Sequence, residues 1–394
     1  MRVCFLCNQI AAWGKIGGFG TNLRRLGGGL VQAGVEVHVV VPRRRGQGRV
    51  ERLDGMLVHG QSWSEVFLGT QLYREIDADL YHVQEPNLCG YWARRAMPHR
   101  AHLVTSMDPR DGTDRRIEFQ NATWLRRLKT PVQRFYENGP LVRRAVAAAD
   151  GVYVEAEFLR EKARRLYGLA DFPGVLPKPI PIPAGPFIKA ERPLCVFLAR
   201  FDPRKRPLLF FQLARRMPDV EFIAIGQAHD RAYQTFLESQ IAGIANLTVT
   251  GFLDPFTDGR LFEILSRAWV LVHPAAREGL PTAFQEASVH EAAILAEVDP
   301  DGYVSRFGRV VPPGGELAQW EASLRSLLES GTYREPGRAG REWNRAHHAV
   351  DVAIAAHLGA YRHHLEARQM NHGVVARSDA TREEFAATLP ENET

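Results

Sequence analysis

Short apolar runs alternate with longer amphipathic segments along the first half of the chain. The runs that predict strands lie at 3–6, 35–41, 57–58, 80–83, 102–105 and 151–154. Segments with helical spacing of apolar residues, such as 21–33 and 89–97, separate them. Strands that alternate with helices are typical of a parallel sheet whose crossover helices cover its faces.

A proline-rich segment, PGVLPKPIPIPAGP at 173–186, interrupts this pattern and predicts an interdomain linker. Apolar runs then resume at 194–199, 221–225, 246–249, 270–272, 293–295 and 309–311, and the segments 321–327 and 351–365 have helical spacing. The pattern predicts an α/β protein with Rossmann-like domains at 1–180 and 181–345, helices at 346–367, and a loosely held polar tail at 368–394.

Composition narrows the class of protein. The 394 residues carry 50 Lys and Arg against 45 Asp and Glu, and this net charge of +5 is too dispersed to indicate nucleic-acid binding. No window approaches the roughly 18 consecutive apolar residues of a spanning helix, and no signal-peptide cleavage pattern follows residue 1, so we expect a cytoplasmic protein. The four cysteines, Cys4 and Cys7 among them, are too few for a disulfide framework and are predicted to be structural.

One basic stretch stands out between Arg115 and Arg144. It interleaves Arg and Lys with apolar side chains, which include Trp124, Leu125, Leu128, Phe135 and Leu141. This pattern is compatible with an interfacial segment that contacts anionic lipid, although such a stretch is more often an ordinary surface helix whose basic face is solvated.

The strongest chemical signal follows the run at 270–272, in the sequence HPAAREGLPTAFQEA. It predicts a strand end, a glycine-containing loop, and a helix that Pro281 begins at its first position. Amides at a helix N-terminus, together with the helix dipole, favour an anion such as a diphosphate. Glu278 before the helix and Glu286 inside it are suited to accept hydrogen bonds from sugar hydroxyls.

A second segment, FLARFDPRK, places Arg200 at a strand end and Lys205 after a turn. Both cations are expected above the carboxyl edge of the sheet, where they would neutralise a leaving diphosphate without a metal.

These segments, with FIAIGQ and NLTVTGFLD between them, resemble in order and interval the donor-binding domain of the retaining, glycogen-synthase-like glycosyltransferases. The resemblance implies the two-domain GT-B fold. Glu278 and Glu286 match the family's E-x7-E motif, and Arg200 and Lys205 match its Arg/Lys pair. It also implies donor contacts from further residues, namely Gly226, Phe252, Gly279, Leu280, Pro281 and Thr282.

The N-terminal half agrees with this resemblance. Gly17, Gly18 and Gly20 follow the first predicted strand and resemble the family's glycine-rich loop, whose backbone approaches the donor. The resemblance implies a nucleoside diphosphate sugar as donor substrate, no separate cofactor, and an acceptor that is deprotonated with help from the leaving phosphate oxygens.

The acceptor side departs from the family. Members often have His-x-His at the end of the fourth strand, where this chain has His82 and Gln84, and a further frequent His is Met107 here. Gln84 retains hydrogen-bonding capacity, and Glu85 or Asp108 is placed to orient an acceptor.

Two further departures lie after Glu286. The sequence SVHEAAI replaces the family's usual Gly-x-Pro-Val, which alters the loop beneath the donor site. Asp299 and Asp301 form a D-x-D that resembles a metal motif of another glycosyltransferase fold, but Pro-Asp-Gly at 300–302 favours a turn.

The sequence is compatible with two functions and argues against a third. The first is a retaining hexosyltransferase, with a small-molecule, saccharide or lipid-linked acceptor and an unspecified nucleobase in the donor. The second is a catalytically inactive sugar-nucleotide binder, since Gln84 and Met107 replace histidines. The third is a nicotinamide-dependent oxidoreductase, which lacks support because the glycines near Gly17 do not complete G-x-G-x-x-G.

Overall fold

The computed structural model describes residues 1–11, 17–44, 46–120 and 124–387. In this part of the chain the strands form one sheet of eight strands and one of six. The two-domain α/β arrangement predicted from the pattern is confirmed, and both sheets are almost entirely parallel.

The first sheet has the strand order β3-β4-β2-β1-β5-β6-β7-β8. Its strands are β1 (Arg2–Cys7), β2 (Glu36–Pro42), β3 (Val50–Leu53), β4 (Met56–Gln61), β5 (Leu80–Gln84), β6 (Ala101–Ser106), β7 (Gly151–Val154) and β8 (Gly174–Val175). The helices around it are α1 (Gly18–Gln32), α2 (Trp63–Leu68), α3 (Gln71–Ile76), α4 (Leu88–Ala96), α5 (Gly112–Gln120), α6 (Trp124–Asn138), α7 (Pro140–Ala147) and α8 (Leu159–Tyr167).

Sequence periodicity missed the antiparallel hairpin at the edge of this sheet. Strand β3 pairs with β4 across Asp54 and Gly55, whose positive φ values of 48° and 83° suit a tight hairpin turn. Strand β3 is largely exposed, so it has no apolar run that would reveal it.

The second sheet has the order β11-β10-β9-β12-β13-β14. Its strands are β9 (Leu194–Leu198), β10 (Glu221–Ile225), β11 (Leu247–Gly251), β12 (Val270–His273), β13 (Ala293–Ala296) and β14 (Gly308–Val310). The helices are α9 (Pro207–Arg216), α10 (Arg231–Ile241), α11 (Arg260–Arg267), α12 (Thr282–Val289), α13 (Tyr303–Phe307), α14 (Leu317–Leu328), α15 (Arg334–His348) and α16 (Val350–Ala387). Strands β12 and β13 are buried throughout, as expected for central parallel strands that are covered on both faces.

The chain passes between the two sheets twice, and the two passages lie side by side. The first follows β8, which lies inside the segment predicted as a linker, and Ile180 of this passage pairs with Ala349 of the second. The amide of Ile180 donates to the carbonyl of His348 at 2.8 Å. Any relative motion of the domains must therefore bend both passages together.

Helix α16 returns to the first domain. Ile354 and Tyr361 pack in the same buried cluster as β1 and α1. The helix continues to Ala387, through most of the segment predicted as a loosely held tail, while 388–394 lie outside the described residues. The apolar period fades there, but Ala, Arg and Glu have high intrinsic helix propensity.

All four cysteines are free and buried. Burial raises the pKa of the Cys4 and Cys7 thiols, which agrees with the predicted structural role.

Candidate functional site

The carboxyl ends of the two sheets face each other across a cleft. Thr282, at the start of α12, accepts a hydrogen bond from the Asn22 side chain of α1 at 3.1 Å. A Cβ on Gly18 would lie 3.0 Å from the Thr282 hydroxyl, and one on Gly279 would lie 3.1 Å from the carbonyl oxygen of Met107. The two glycine-containing loops predicted from sequence are thus brought together here, and small residues allow their close approach.

Glu278 is the centre of charge on the donor side. Its carboxylate forms an ion pair with Lys205 and a 2.9 Å contact with Nε2 of His273, which is 2% exposed. Burial alone would raise the pKa of Glu278, but the Lys205 charge and the His273 hydrogen bond hold this pKa well below its usual range. The site therefore contains a carboxylate that stays ionised although it is largely buried.

Arg200 and Lys205 flank a turn that Asp202 organises. The Asp202 carboxylate accepts from the backbone amide of Arg204 at 3.1 Å and lies 3.6 Å from Arg200 Nη2. Burial opposes its ionisation, but the hydrogen bond from Arg204 and the nearby charges lower the pKa of Asp202. Sequence reasoning did not select Asp202 as a site residue, although Asp before Pro-x-Lys is a recognisable capping signal.

The helix after Glu278 begins one residue later than predicted. Pro281 is the N-cap, with ψ 130°, and Thr282 is the first helical residue of α12. The carbonyl of Leu280 accepts from the buried Lys178 ammonium, which fixes this loop to the linker. The backbone amides of the first turn of α12 point out of the N-terminal end of the helix, which faces the cleft. The helix dipole favours an anion at this end.

Glu286 lies on the face of α12 that meets the first domain. Its Oε1 pairs with Arg25 of α1 at 2.8 Å, and the two side chains are 13% and 10% exposed. Arg25 was not identified from the sequence, since it is 261 residues away and belongs to no local motif.

Gly226 and Phe252 lie at the same sheet edge as the Arg200 segment. Gly226 has φ +147°, and an added Cβ would lie 2.0 Å from the carbonyl oxygen of Ala199. Glycine is required there because two strand ends converge. Phe252 directly follows β11 and is 37% exposed.

The acceptor-side candidates separate into two groups. His82 is fully buried, with Thr105 Oγ1 at 2.8 Å and the Tyr361 hydroxyl of α16 at 2.9 Å. Gln84 is also buried and contacts His82. The structure therefore places the His82 side chain in the packing between β5 and α16.

Glu85 and Asp108 form the second group. Glu85 has φ 67° and accepts from the amides of Met107 and Asp108 at 2.8 and 3.1 Å. Burial raises the pKa of Glu85 to about 8, against the opposing charge of Arg110. Asp108 in turn pairs with Arg277 of the second domain.

The D-x-D segment forms the predicted turn, at Pro300–Gly302. Asp301 accepts from the amides of Glu157 and Phe158, at 2.8 and 2.7 Å, and so bridges to the start of α8. Asp299 accepts from the amide of Val304 at 2.7 Å. Within the described ranges, no three His, Cys, Asp or Glu side chains are grouped as metal ligands would be.

Comparisons with protein families match both halves of the chain. Residues 182–343 match the model of the family described as glycosyl transferases group 1. Residues 17–173 match that of the glycosyl transferase 4-like domain. A search of curated proteins finds no match.

Solved structures share the fold at low sequence identity. Sucrose-phosphate synthase from Thermosynechococcus elongatus has a TM-score of 0.71 and 15% identity, covering 93% of this chain and 99% of that one. Anabaena Alr3699/HepE in complex with UDP-glucose has a TM-score of 0.68 and 13% identity, covering 91% and 100%. WaaG, a glycosyltransferase involved in lipopolysaccharide biosynthesis, has a TM-score of 0.65 and 14% identity, covering 90% and 98%.

The described part of the chain contains no helix with the length and apolar character needed to cross a bilayer.

Proposed function

The chain belongs to the group 1 glycosyltransferases with the GT-B fold, and on this premise we propose that it transfers a hexose from a nucleoside diphosphate sugar to a hydroxyl acceptor with retention of configuration. The observation that carries the proposal is the grouping of Lys205, Glu278 and the N-terminus of α12 at the cleft, opposite the glycines that begin α1.

In this proposal the donor diphosphate lies against cations and amides. Lys205, Arg200 and the first amides of α12 stabilise the charge that develops on the leaving diphosphate. Such fixed positive groups provide the neutralisation for which other transferases use a metal. Glu278 stays ionised beside Lys205 and accepts from the hexose hydroxyls.

Glu286 is proposed to accept from the ribose hydroxyls. A carboxylate has about four lone-pair positions, so its contact with Arg25 leaves room for hydroxyl donors. The acceptor hydroxyl would transfer its proton to an oxygen of the leaving diphosphate on the same face, so that no dedicated protein base is needed. Closure about the paired passages near Ile180 and Ala349 would exclude water from the cleft.

The first experiment measures donor binding and stereochemistry. Thermal shifts with UDP, GDP, ADP and TDP should single out one nucleotide, since a ligand of the folded state raises Tm by mass action. The matching sugar nucleotide is then tested for transfer, and NMR of the anomeric proton identifies retention. Absence of a shift with all four nucleotides would count against the proposal.

Glu286→Ala tests the ribose contact. We expect its donor KM to rise by about tenfold or more, the effect of losing a charge-assisted hydrogen bond of about 1.5–3 kcal/mol. Glu342→Ala, on the exposed face of α15, serves as the control and should leave donor kinetics unchanged. Unchanged donor kinetics in Glu286→Ala would exclude the ribose assignment.

A second candidate function, sugar-nucleotide binding without transfer, is favoured by Gln84 and Met107, which are both buried and stand where family members often have acceptor-side histidines. It predicts that donor binds normally while neither transfer nor slow donor hydrolysis occurs.

We further propose that the protein acts in the cytoplasm, with contact to an anionic membrane surface through α5 and α6. Phe119, Val132 and Phe135 are 48%, 63% and 47% exposed, and Arg116 and Arg134 are exposed among them. The side chains of Trp124, Leu125 and Leu128 lie outside the described residues. Apolar side chains among cations suit anionic lipid, and this would bring a lipid-linked acceptor to the cleft. Co-sedimentation with vesicles, with and without phosphatidylglycerol, tests this surface.

A further inference from the structure

A group of arginines and carboxylates joins the two domains beside the donor site. Arg277, the residue before Glu278, directs its guanidinium at two carboxylates of the first domain. Its Nη2 and Nη1 lie 2.5 and 3.1 Å from the two oxygens of Asp108, and its Nε lies 2.6 Å from Asp114. The arginine side chain is only 12% exposed. The contact with Asp108 is bidentate, which is the geometry in which Arg binds a carboxylate most strongly.

A second arginine makes a parallel connection. Arg204, the residue before Lys205, donates to Glu118 of α5 at 2.9 Å and also contacts Asp202. Glu118 lies 3.6 Å from Arg277, so both arginines converge on one helix of the first domain. Each residue of the Lys205–Glu278 pair thus has an interdomain arginine as its immediate neighbour in the chain.

The carboxylates that contact Arg277 also have partners within the first domain. Asp111 accepts from the amides of Thr113 and Asp114 at the start of α5, at 2.8 and 3.0 Å. Lys162 pairs with Asp114 at 2.9 Å. Glu85 accepts the amides of Met107 and Asp108, which orients the loop that carries Asp108.

Domain opening would separate these charges. Asp108, Asp114 and Glu118 belong to the first domain, and Arg277 and Arg204 belong to the second. The bidentate, charge-assisted contact of Arg277 with Asp108 exists only while the domains are together, so it favours the closed arrangement. The same contacts fix the backbone next to Glu278, and a displacement of about 1 Å at a reacting site lowers turnover by roughly 100-fold.

We propose that Arg277 is a positioning residue: clasped by Asp108 and Asp114 when the domains close, it holds Glu278 and Lys205 in their working geometry. This inference rests on the proposed transferase function for its kinetic consequence, whereas its structural consequence, stabilisation of the closed form, is independent of that function.

The test compares four variants with the unaltered protein: Arg277→Ala, Arg277→Lys, Asp108→Asn and the Arg277→Ala/Asp108→Asn double variant. Arg216→Ala is the matched control, since its ion pair with Glu321 lies within one domain. Interdomain distances are measured by electron spin resonance between labels on exposed positions of α3 and α10, and kcat and donor KM are measured separately.

Arg277→Ala should broaden the interdomain distance distribution and lower kcat by roughly 100-fold, with a smaller change in donor KM. Arg277→Lys should change the distance distribution and kcat less than Arg277→Ala does, because Lys keeps the positive charge but cannot bind a carboxylate in bidentate fashion. The double variant should resemble Arg277→Ala alone, since the Arg277–Asp108 contact that Asp108→Asn weakens is already absent from Arg277→Ala.

A distance distribution unchanged from that of the unaltered protein in both Arg277→Ala and Asp108→Asn, or effects no larger than those of Arg216→Ala, would overturn the inference. If Arg277→Ala does not fold, Asp108→Asn carries the same comparison. If neither the unaltered protein nor any variant transfers a sugar, the proposed function fails. The distance measurements still decide whether the contacts of Arg277 with Asp108 and Asp114 hold the domains together.

Discussion

Glu278 and Glu85 are both carboxylates that follow a strand at the cleft edge, one in each domain, yet their acid strengths shift in opposite directions. The pKa of Glu278 is held well below its usual range, while that of Glu85 is raised to about 8. Burial disfavours ionisation in both. Glu278 has Lys205 and His273 in direct contact, whereas the contacts of Glu85 are backbone amides of Met107 and Asp108. A contacting cation, rather than burial, decides which carboxylate is charged.

Glu155 is an intermediate case. It follows β7, is 5% exposed, and lies 3.2 Å from the ammonium of Lys178. Burial raises the pKa of Glu155 to about 7, with Lys178 opposing the rise. One cation in a deeply buried site thus offsets only part of the cost of burial. The three glutamates form a graded series that substitutions can test.

The largest loss of stability is expected from Lys205→Met. At pH 7 the substitution leaves the ionised Glu278 without its cation and should lower the free energy of unfolding by about 3 kcal/mol. The stability that a lowered pKa contributes is present above the unfolded pKa of about 4.3 and is lost as pH falls through the folded pKa. The difference in free energy of unfolding between Lys205→Met and the unaltered protein should therefore decrease below about pH 4. Urea unfolding at several pH values measures this difference.

Arg216→Met is the control for this experiment, because its ion pair with Glu321 is on the surface and 50% exposed on the arginine side. It should change stability by less than about 1 kcal/mol at either pH. If Lys205→Met lowers the free energy of unfolding by the same amount at pH 3.5 and at pH 7, the assignment of a lowered pKa to Glu278 is contradicted.

Glu85→Gln should change the pH dependence of stability in the opposite sense. The amide oxygen of Gln can still accept from Met107 and Asp108 but cannot ionise. A raised pKa means that the unaltered protein loses stability as pH rises from the unfolded value near 4.3 toward 8, by about 1.4 kcal/mol per pH unit. In denaturant titrations at several pH values, Glu85→Gln should lack this decrease in the free energy of unfolding with rising pH. The control Glu342→Gln, at an exposed position, should retain the decrease. Parallel slopes in all three proteins would show that Glu85 ionises normally.

Lys178→Met should have the smallest effect of the three, although Lys178 is 4% exposed and Lys205 is 22% exposed. Glu155 already has a pKa of about 7, so it can become protonated at little cost when its cation is removed. The main loss is the hydrogen bond to the Leu280 carbonyl, worth about 1–2 kcal/mol. In thermal unfolding, the loss of stability of Lys178→Met relative to the unaltered protein should be larger at pH 8 than at pH 6. A deficit larger than that of Lys205→Met would refute the graded series.

The donor side was predictable because its chemistry is local in sequence. Lys205 and Asp202 share one turn, and Glu278 and Thr282 share one loop and helix start. Spacing along a strand end and a helix therefore fixes which side chains share a face. The helix start shifted by one residue, since Pro281 serves as the cap and not as the first helical residue.

The acceptor side was less predictable because its contacts join distant segments. His82 is an acceptor-side candidate from the sequence, and its ring contacts Tyr361, which is 279 residues later and comes back to the sheet with α16. Asp108 is another such candidate, and it pairs with Arg277, 169 residues away. Such pairings follow from domain packing, for which a single sequence carries no periodic signal.

By itself the sequence determined the two parallel α/β halves and the Glu278, Lys205 and glycine-loop segments, because strand and helix periods and capping are short-range properties. The tertiary structure alone decided which of three similar glutamates is charged, that Arg25 and Arg277 reach across the cleft, and that α16 covers His82. Charge state and interdomain contact depend on distances between residues that only the folded chain brings together.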